Sequence, residues 1–193
     1  MVSYHILSVG NALFTPQYKF VKGNTGNPTI TLVVSEEKNL LVDPGANGLY
    51  CDKKIEALKL EISLSSILGD RPLDYVFITH PHLDHCNLAP LISGKIIEGI
   101  GELIPGVFSF STLGHHSEHK SLEFIVEDKR IVVAGDAVIN KDYFYAKDPQ
   151  ERIYRANNYS IEEIEQTLRT MEKIRRRADM IIPGHGNIFK VRK

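Results

Sequence analysis

Four apolar, β-branched runs in this 193-residue chain each lead into a loop that carries imidazole or carboxylate side chains. "DYVFIT" leads into "HPHLDH", "VFSFST" into "LGHH", "RIVVA" into "GD" and "DMII" into "PGHG". Rigid strands whose ends meet can gather ligands from distant sequence positions into one pocket. Four strand ends of this chain therefore deliver imidazoles and carboxylates. Of the eight histidines, His80, His82 and His85 share one loop, His115, His116 and His119 a second, and His185 a third, leaving only His5 outside.

The remaining pattern supports a layered α/β architecture with mostly antiparallel sheets. "YHILSVG", "TITLVVS" and "LLVDPG" read as an opening β-meander, with the polar turn "EEKN" before the third strand. Ile55, Leu58, Ile62 and Leu68 mark an apolar helix face over 52–68, and Gly69 is placed to end that helix. "LEFIVEDKRIVVAG" predicts a hairpin turning at Glu127–Arg130. Ser160 and Glu163 form a capping-box pair, opening a helix over 160–177 with Ile161, Ile164, Leu168, Met171 and Ile174 on its apolar face. Lys173 and Arg175–Arg177 form the one dense basic run, as expected of cations that complement the dipole of a last helical turn. No repeat or linker interrupts the chain, so residues 1–193 are expected to form a single domain.

Composition narrows the function classes. Lys and Arg number 23 against 24 for Asp and Glu, so no global field favours nucleic acid. Cys51 and Cys86 are too few and too unpatterned for a disulfide framework or a zinc ribbon. The N-terminus has no signal-peptide pattern, and no apolar run approaches the roughly 18 residues that span a bilayer. The expectation is a cytoplasmic protein with a small-molecule substrate and no membrane partner; the oligomeric state is open.

In an extended loop, residues two apart project to one side, so His80 and His82 can share one ion while Asp84 and His85 address a neighbouring position. Two ions fit this spacing better than one. Imidazoles and carboxylates without thiolates suit zinc, iron or manganese. A lone histidine such as His5 reads as an ordinary strand residue, and Cys86 as a small hydrophobe turned away from the ligands. His-x-His-x-Asp-His directly after a strand does not arise readily by chance.

These residues resemble the metallo-β-lactamase superfamily along essentially the whole chain. "LLVDPG" looks like its first motif, "THPHLDH" its signature, and "TLGHHSEHKSL" its third motif with Leu113 in place of the usual proline. "VVAGDAV" and "IIPGHG" match the fourth and fifth. The resemblance implies the family's αβ/βα four-layer sandwich with the site at one edge of two packed sheets. It also implies that His80, His82 and His115 hold one metal, that Asp84, His85 and His185 hold the other, and that Asp136 bridges them. Asp43 takes the place of a buried supporting aspartate, and His119 falls where an orienting His or Ser often stands.

The implied activity is that of a binuclear hydrolase with two divalent ions, zinc foremost. A metal-bridging hydroxide would attack an ester, thioester, lactone or phosphodiester, with Asp84 orienting it and passing a proton. The alternative within the family is a mononuclear iron dioxygenase acting on a thiol or persulfide. Glyoxalase II proper is disfavoured by the thirty residues from His85 to His115 and by the lack of a separate helical domain. Acyl-homoserine lactonases resemble the chain in "GDAV" but carry a tyrosine three residues after the bridging aspartate, where Ile139 stands here. Tyr143, Tyr145 and Arg152, in the following polar loop, are the substrate-contact candidates.

Overall fold

The computed structural model describes residues 1–12, 26–47, 51–150 and 159–192. Strands β1 (Ser3–Ser8), β2 (Ile30–Val34), β3 (Asn39–Val42), β4 (Tyr75–Phe77) and β5 (Lys95–Ile96) form one sheet in sequential order. The second sheet runs β11 (Phe189–Lys190), β10 (Met180–Pro183), β9 (Lys129–Gly135), β8 (Lys120–Val126), β7 (Val107–Ser111) and β6 (Gly101–Ile104). The opening meander is antiparallel, as expected, and the parallel pairs are β3 with β4, β4 with β5, and β9 with β10.

Continuous apolar runs are what a strand covered on both faces requires. In "TLVV" and "LLV", Val33, Leu40 and Val42 face the second sheet, together with Phe77, and meet Leu122, Phe124, Ile131, Val133 and Ile182. The alternate residues Leu32, Leu41 and Val76 face outward onto α1 (Lys53–Leu68). On the second sheet, Val132 and Ile181 turn outward to Met171 and Ile174 of the long helix Ile161–Arg177. The period of two thus produces helix, sheet, sheet, helix, the four-layer αβ/βα sandwich. Each large side chain so buried contributes roughly 1.5–3 kcal/mol.

The helices are where the apolar pattern and the fold differ. α1 begins at an Asp52 cap and ends at Gly69, whose φ is 60°, but it buries Ala57, Leu60, Leu64 and Leu68. Ile55, Leu58 and Ile62 are more than half exposed. The helix carries two apolar stripes at the same spacing, and periodicity cannot say which one the sheet accepts. Among the described residues, two short α-helices, α2 (Leu83–Cys86) and α3 (Lys141–Phe144), lie between α1 and the long helix, α4. α4 has the full capping box at Ser160 and Glu163. Its first apolar residue, Ile161, is 72% exposed, whereas Thr167 and Thr170 are buried because both hydroxyls find carbonyl acceptors, at Glu163 and Leu113. The basic run behaves as a helix end: Arg176 pairs with Glu172, Arg177 with Glu123, and Arg175 lies over the Phe144 ring. The β8–β9 turn is tighter than the sequence predicts. Val126 pairs with Lys129, and Glu127 and Asp128 take φ of 50° and 59°, the positive pair of a two-residue hairpin.

Candidate metal centre

Strands β3, β4, β7, β9 and β10 all deliver their C-terminal ends to the same edge of the sandwich. β9 and β10 are parallel neighbours, so Asp136 and His185 emerge side by side, tied by Gly184 N–H to the Gly135 carbonyl (2.9 Å) and His185 N–H to the Ile139 carbonyl (2.7 Å). β3 and β4 do the same for Asp43 and His80. Backbone bonds from Thr29 N–H to the Gly184 carbonyl (2.7 Å) and from Lys120 N–H to the Thr79 carbonyl (2.9 Å) lock the sheets together there.

The ligand-type side chains form two adjoining groups, His80, His82, His115 and Asp136 in one and Asp84, His85 and His185 in the other. In the first, His82 Nδ1 lies 2.9 Å from His80 Nε2 and 3.0 Å from His115 Nε2, and Asp136 Oδ2 lies 3.4 Å from His115 Nε2 and 4.0 Å from His80 Nε2. In the second, His85 Nε2 and His185 Nε2 are 3.4 Å apart, and Asp84 Oδ2 is 3.8 Å from the former and 3.6 Å from the latter. Asp136 Oδ1 faces this group, 3.3 Å from each of the two nitrogens. A tetrahedral ion with bonds of about 2.0–2.1 Å sets its donors roughly 3.3 Å apart. Both groups span that value, and Asp136 contributes one oxygen to each.

The chemistry of the donors agrees. Asp136 Oδ1 is buried with no well-aligned hydrogen bond among the described residues, facing only the two Nε2 atoms at 3.3 Å, an arrangement that a cation between them would compensate. Gly184 makes the room, because a Cβ there would lie 1.9 Å from Asp136 Oδ1.

Four of the imidazoles have their Nδ1 side occupied, which leaves Nε2 to face the centre. His85 Nδ1 is 2.9 Å from Asp43 Oδ2, and His185 Nδ1 is 2.7 Å from the Asn27 carbonyl. His80 Nδ1 is 3.0 Å from Thr79 Oγ1, whose proton goes to Asp43 Oδ2 at 2.8 Å, and His115 Nδ1 is 2.7 Å from the Tyr159 hydroxyl. A ring whose Nδ1–H is engaged presents a lone pair at Nε2, the state a metal requires. Asp43 also accepts the Thr79 N–H at 2.7 Å and is held at φ 52°, a left-handed conformation uncommon for aspartate.

Burial and mutual charge set the proton affinities of the ion-free site. Burial, reinforced by His85, keeps His80 neutral well below the usual imidazole range, and burial takes His115 down to about 3. Burial would also lower His85 and His185, but the Asp136 carboxylate, joined at His85 by Asp43, raises both. Asp136 is itself held well below its usual range by His185 and His85 against the effect of burial. Burial pushes Asp84 up. A cation entering the second group would compete with protons for the His85 and His185 nitrogens.

The other candidates fall outside these groups. His119 is fully buried and stacks on His80 at 4.9 Å. Its Nε2 accepts the Ala137 N–H at 3.2 Å, so Nδ1–H donates to Thr112 Oγ1 at 2.8 Å, and the chain continues through Ser121 to the Ala134 carbonyl. His116 accepts the Glu118 N–H, and Cys86 points to the Pro81 carbonyl. Tyr143 is 1% exposed within the apolar cluster under α4, and Tyr145 bonds to Lys190 and Arg192 near the C-terminus, so neither lines an open wall of the centre. Arg152 lies outside the described residues. Thr79, the Asn27 carbonyl and Tyr159 were not singled out from the sequence. Thr79 directly precedes the ligand run and is discoverable by position, whereas Tyr159 stands 44 residues from His115 and carries no local signal.

Residues 23–100 match the family profile described as Metallo-beta-lactamase superfamily. Among solved structures, a putative metallo-beta-lactamase from Thermotoga maritima is 20% identical with a TM-score of 0.68, over 98% of this chain and 99% of that one. A variant of B. thuringiensis AiiA with N-decanoyl-L-homoserine bound at its active site gives 20% identity and a TM-score of 0.61, over 95% and 92%. A probable metal-dependent hydrolase from Staphylococcus aureus gives 16% and 0.60, over 95% and 89%. No curated protein sequence matches significantly. The profile covers residues 23–100, and what the chain shares with these structures is the fold.

Proposed function

We propose that the chain is a single-domain binuclear metallohydrolase acting on a small ester, thioester, lactone or phosphodiester. The observation that carries this reading is the divided Asp136 carboxylate, with Oδ2 toward His115 and His80 and Oδ1 equidistant from His85 and His185. His80, His82 and His115 would hold one divalent ion, and Asp84, His85 and His185 the other. Zinc suits these nitrogen and oxygen donors, with iron or manganese as further candidates.

Ions held there would make a bound water acidic enough to supply hydroxide near neutral pH and would polarise a carbonyl or phosphoryl oxygen. The protein then needs no nucleophile of its own, and Cys86, turned to the Pro81 carbonyl, offers none. Asp43, Thr79, the Asn27 carbonyl and Tyr159 hold four rings with Nε2 inward. Asp84 retains about a tenth of its side-chain exposure where His85 has none, which supports reading it as the carboxylate that would orient the attacking water and return a proton to the leaving group. The lactonase and hydrolase relatives of the same fold make lactones and other activated esters the first substrates to try.

The test is metal analysis of the purified protein followed by turnover of thioesters, lactones, phosphodiesters and β-lactams, with His82→Ala as control. Two ions per chain and hydrolysis lost in the variant are expected. A single iron with oxygen consumption on persulfide would replace this reading with the dioxygenase one.

A further inference from the structure

We infer that Tyr159 is a positioning residue that fixes His115 as a metal ligand and ties that ligand to α4. The inference rests on the reading of His115 as one of three histidines holding the first ion. The Tyr159 hydroxyl lies 2.7 Å from His115 Nδ1 and 3.0 Å from the carbonyl oxygen of the same residue. A carbonyl only accepts, so the two contacts are both hydrogen bonds only when the single phenolic proton goes to it. The imidazole must then donate its Nδ1–H to the phenol oxygen. Nε2 is left with a lone pair, 3.0 Å from His82 Nδ1 and 3.4 Å from Asp136 Oδ2. One hydroxyl thus sets both the tautomer of the ring and its rotation about the backbone.

The surrounding contacts place the whole loop on the same helix. Lys173 Nζ donates to the Ser111 carbonyl at 2.9 Å, and Thr170 Oγ1 to the Leu113 carbonyl at 2.5 Å. Gly114, at φ 132°, packs so closely on Thr167 that a Cβ would meet its Oγ1 at 2.6 Å and its Cα at 2.7 Å. Residues 167, 170 and 173, spaced three apart on one face of α4, register the backbone on either side of His115, and Tyr159, just before the Ser160 cap, registers the ring. The other three Nδ1 partners lie off α4: Asp43 and Thr79 follow β3 and β4, and the Asn27 carbonyl precedes β2. Among the described residues, the first ion group alone takes an Nδ1 partner from the foot of the helix.

That asymmetry makes the inference testable by selectivity. Protein stripped of metal is titrated with zinc against a chromophoric chelator, for wild type and Tyr159→Phe, and the cobalt electronic spectrum is recorded for both. We expect one of the two affinities to fall roughly 10- to 100-fold in the variant, the usual cost of losing an outer partner of a ligand histidine. The other should stay within about twofold, the tetrahedral cobalt bands should shift, and the metal-free melting temperature should stay close to wild type. Unchanged affinities and spectrum in Tyr159→Phe would overturn the role of Tyr159 while leaving the binuclear reading intact. Wild type that binds no ion at neutral pH would overturn both. Nitrogen-15 shifts of His115 in zinc-loaded wild type decide the matter even if the variant does not fold: a protonated Nδ1 with Nε2 shifted by metal supports the inference, and the reverse tautomer refutes it.

Discussion

Asp43 Oδ2 stands 2.9 Å from His85 Nδ1, with both side chains buried and the aspartate backbone in the left-handed region. The same carboxylate receives the Thr79 N–H and hydroxyl, so it orders His85 directly and His80 through Thr79. Asp43 therefore reaches both ion groups from one position. Asp43→Asn keeps the shape but removes the charge that favours an Nδ1–H donor. The expected outcome is weaker binding in both groups, about 10- to 100-fold each, measured by competition with a chelator. Loss confined to one ion would contradict the Thr79 relay.

Gly184 gives a steric counterpart. Its φ is ordinary, but an added Cβ would fall 1.9 Å from Asp136 Oδ1 and 2.9 Å from the Gly135 carbonyl carbon. Gly184→Ala should displace the shared carboxylate, and the protein should be purified with less than one ion per chain, as read by elemental analysis. A fully loaded Ala variant would mean that Asp136 does not need its present position.

Removing metal should be felt as a loss of stability. An ion that binds only the folded chain stabilises it by about 2.7 kcal/mol when present at 100 times its dissociation constant. Thermal unfolding with and without a strong chelator should show a lower midpoint for the stripped protein. His82→Ala should show a smaller drop than wild type, because it starts with one ion group already impaired.

Away from the centre, Asp74 accepts from Lys38 Nζ at 2.8 Å and from the Asn39 N–H at 2.9 Å. Burial alone would raise its pKa, but these donors outweigh burial and lower it. A carboxylate depressed in the folded state contributes stability above its unfolded pKa of about 3.9 and loses it as pH falls through the folded value. Asp74→Asn should cost about 1 kcal/mol at neutral pH, shrinking toward zero below pH 4, in paired urea titrations. A difference that grows with acidity would reverse the sign of the linkage.

The sandwich was legible because buried strands must be apolar on both faces, as "TLVV" and "RIVV" are, and because the ligand runs sit immediately after them. α1 was legible in its extent and caps and not in its orientation, since Ile55, Leu58 and Ile62 repeat as regularly as the buried Ala57, Leu60 and Leu64. What selects between two such stripes is the shape of the sheet beneath. In the centre, residue type and spacing exposed the imidazoles and carboxylates that lie together. The groups that orient them were harder to see. The Asn27 carbonyl is backbone and has no residue-type signature, and Tyr159 reaches His115 only through the packing of α4 on the second sheet. Tyr143, a substrate-contact candidate from its place in a polar loop, lies within the apolar cluster under α4, a burial that the polarity of its neighbours conceals.

Each ion group draws on both sheets. His80 and His82 follow β4 of the first sheet while His115 and Asp136 follow β7 and β9 of the second, and Asp84 and His85 face His185 and Asp136 in the same way. Neither group exists until the two sheets have docked. An ion held by these groups would therefore be captured only once the sheets have docked, so added ions should lengthen the lifetime of the native state more than they speed its formation.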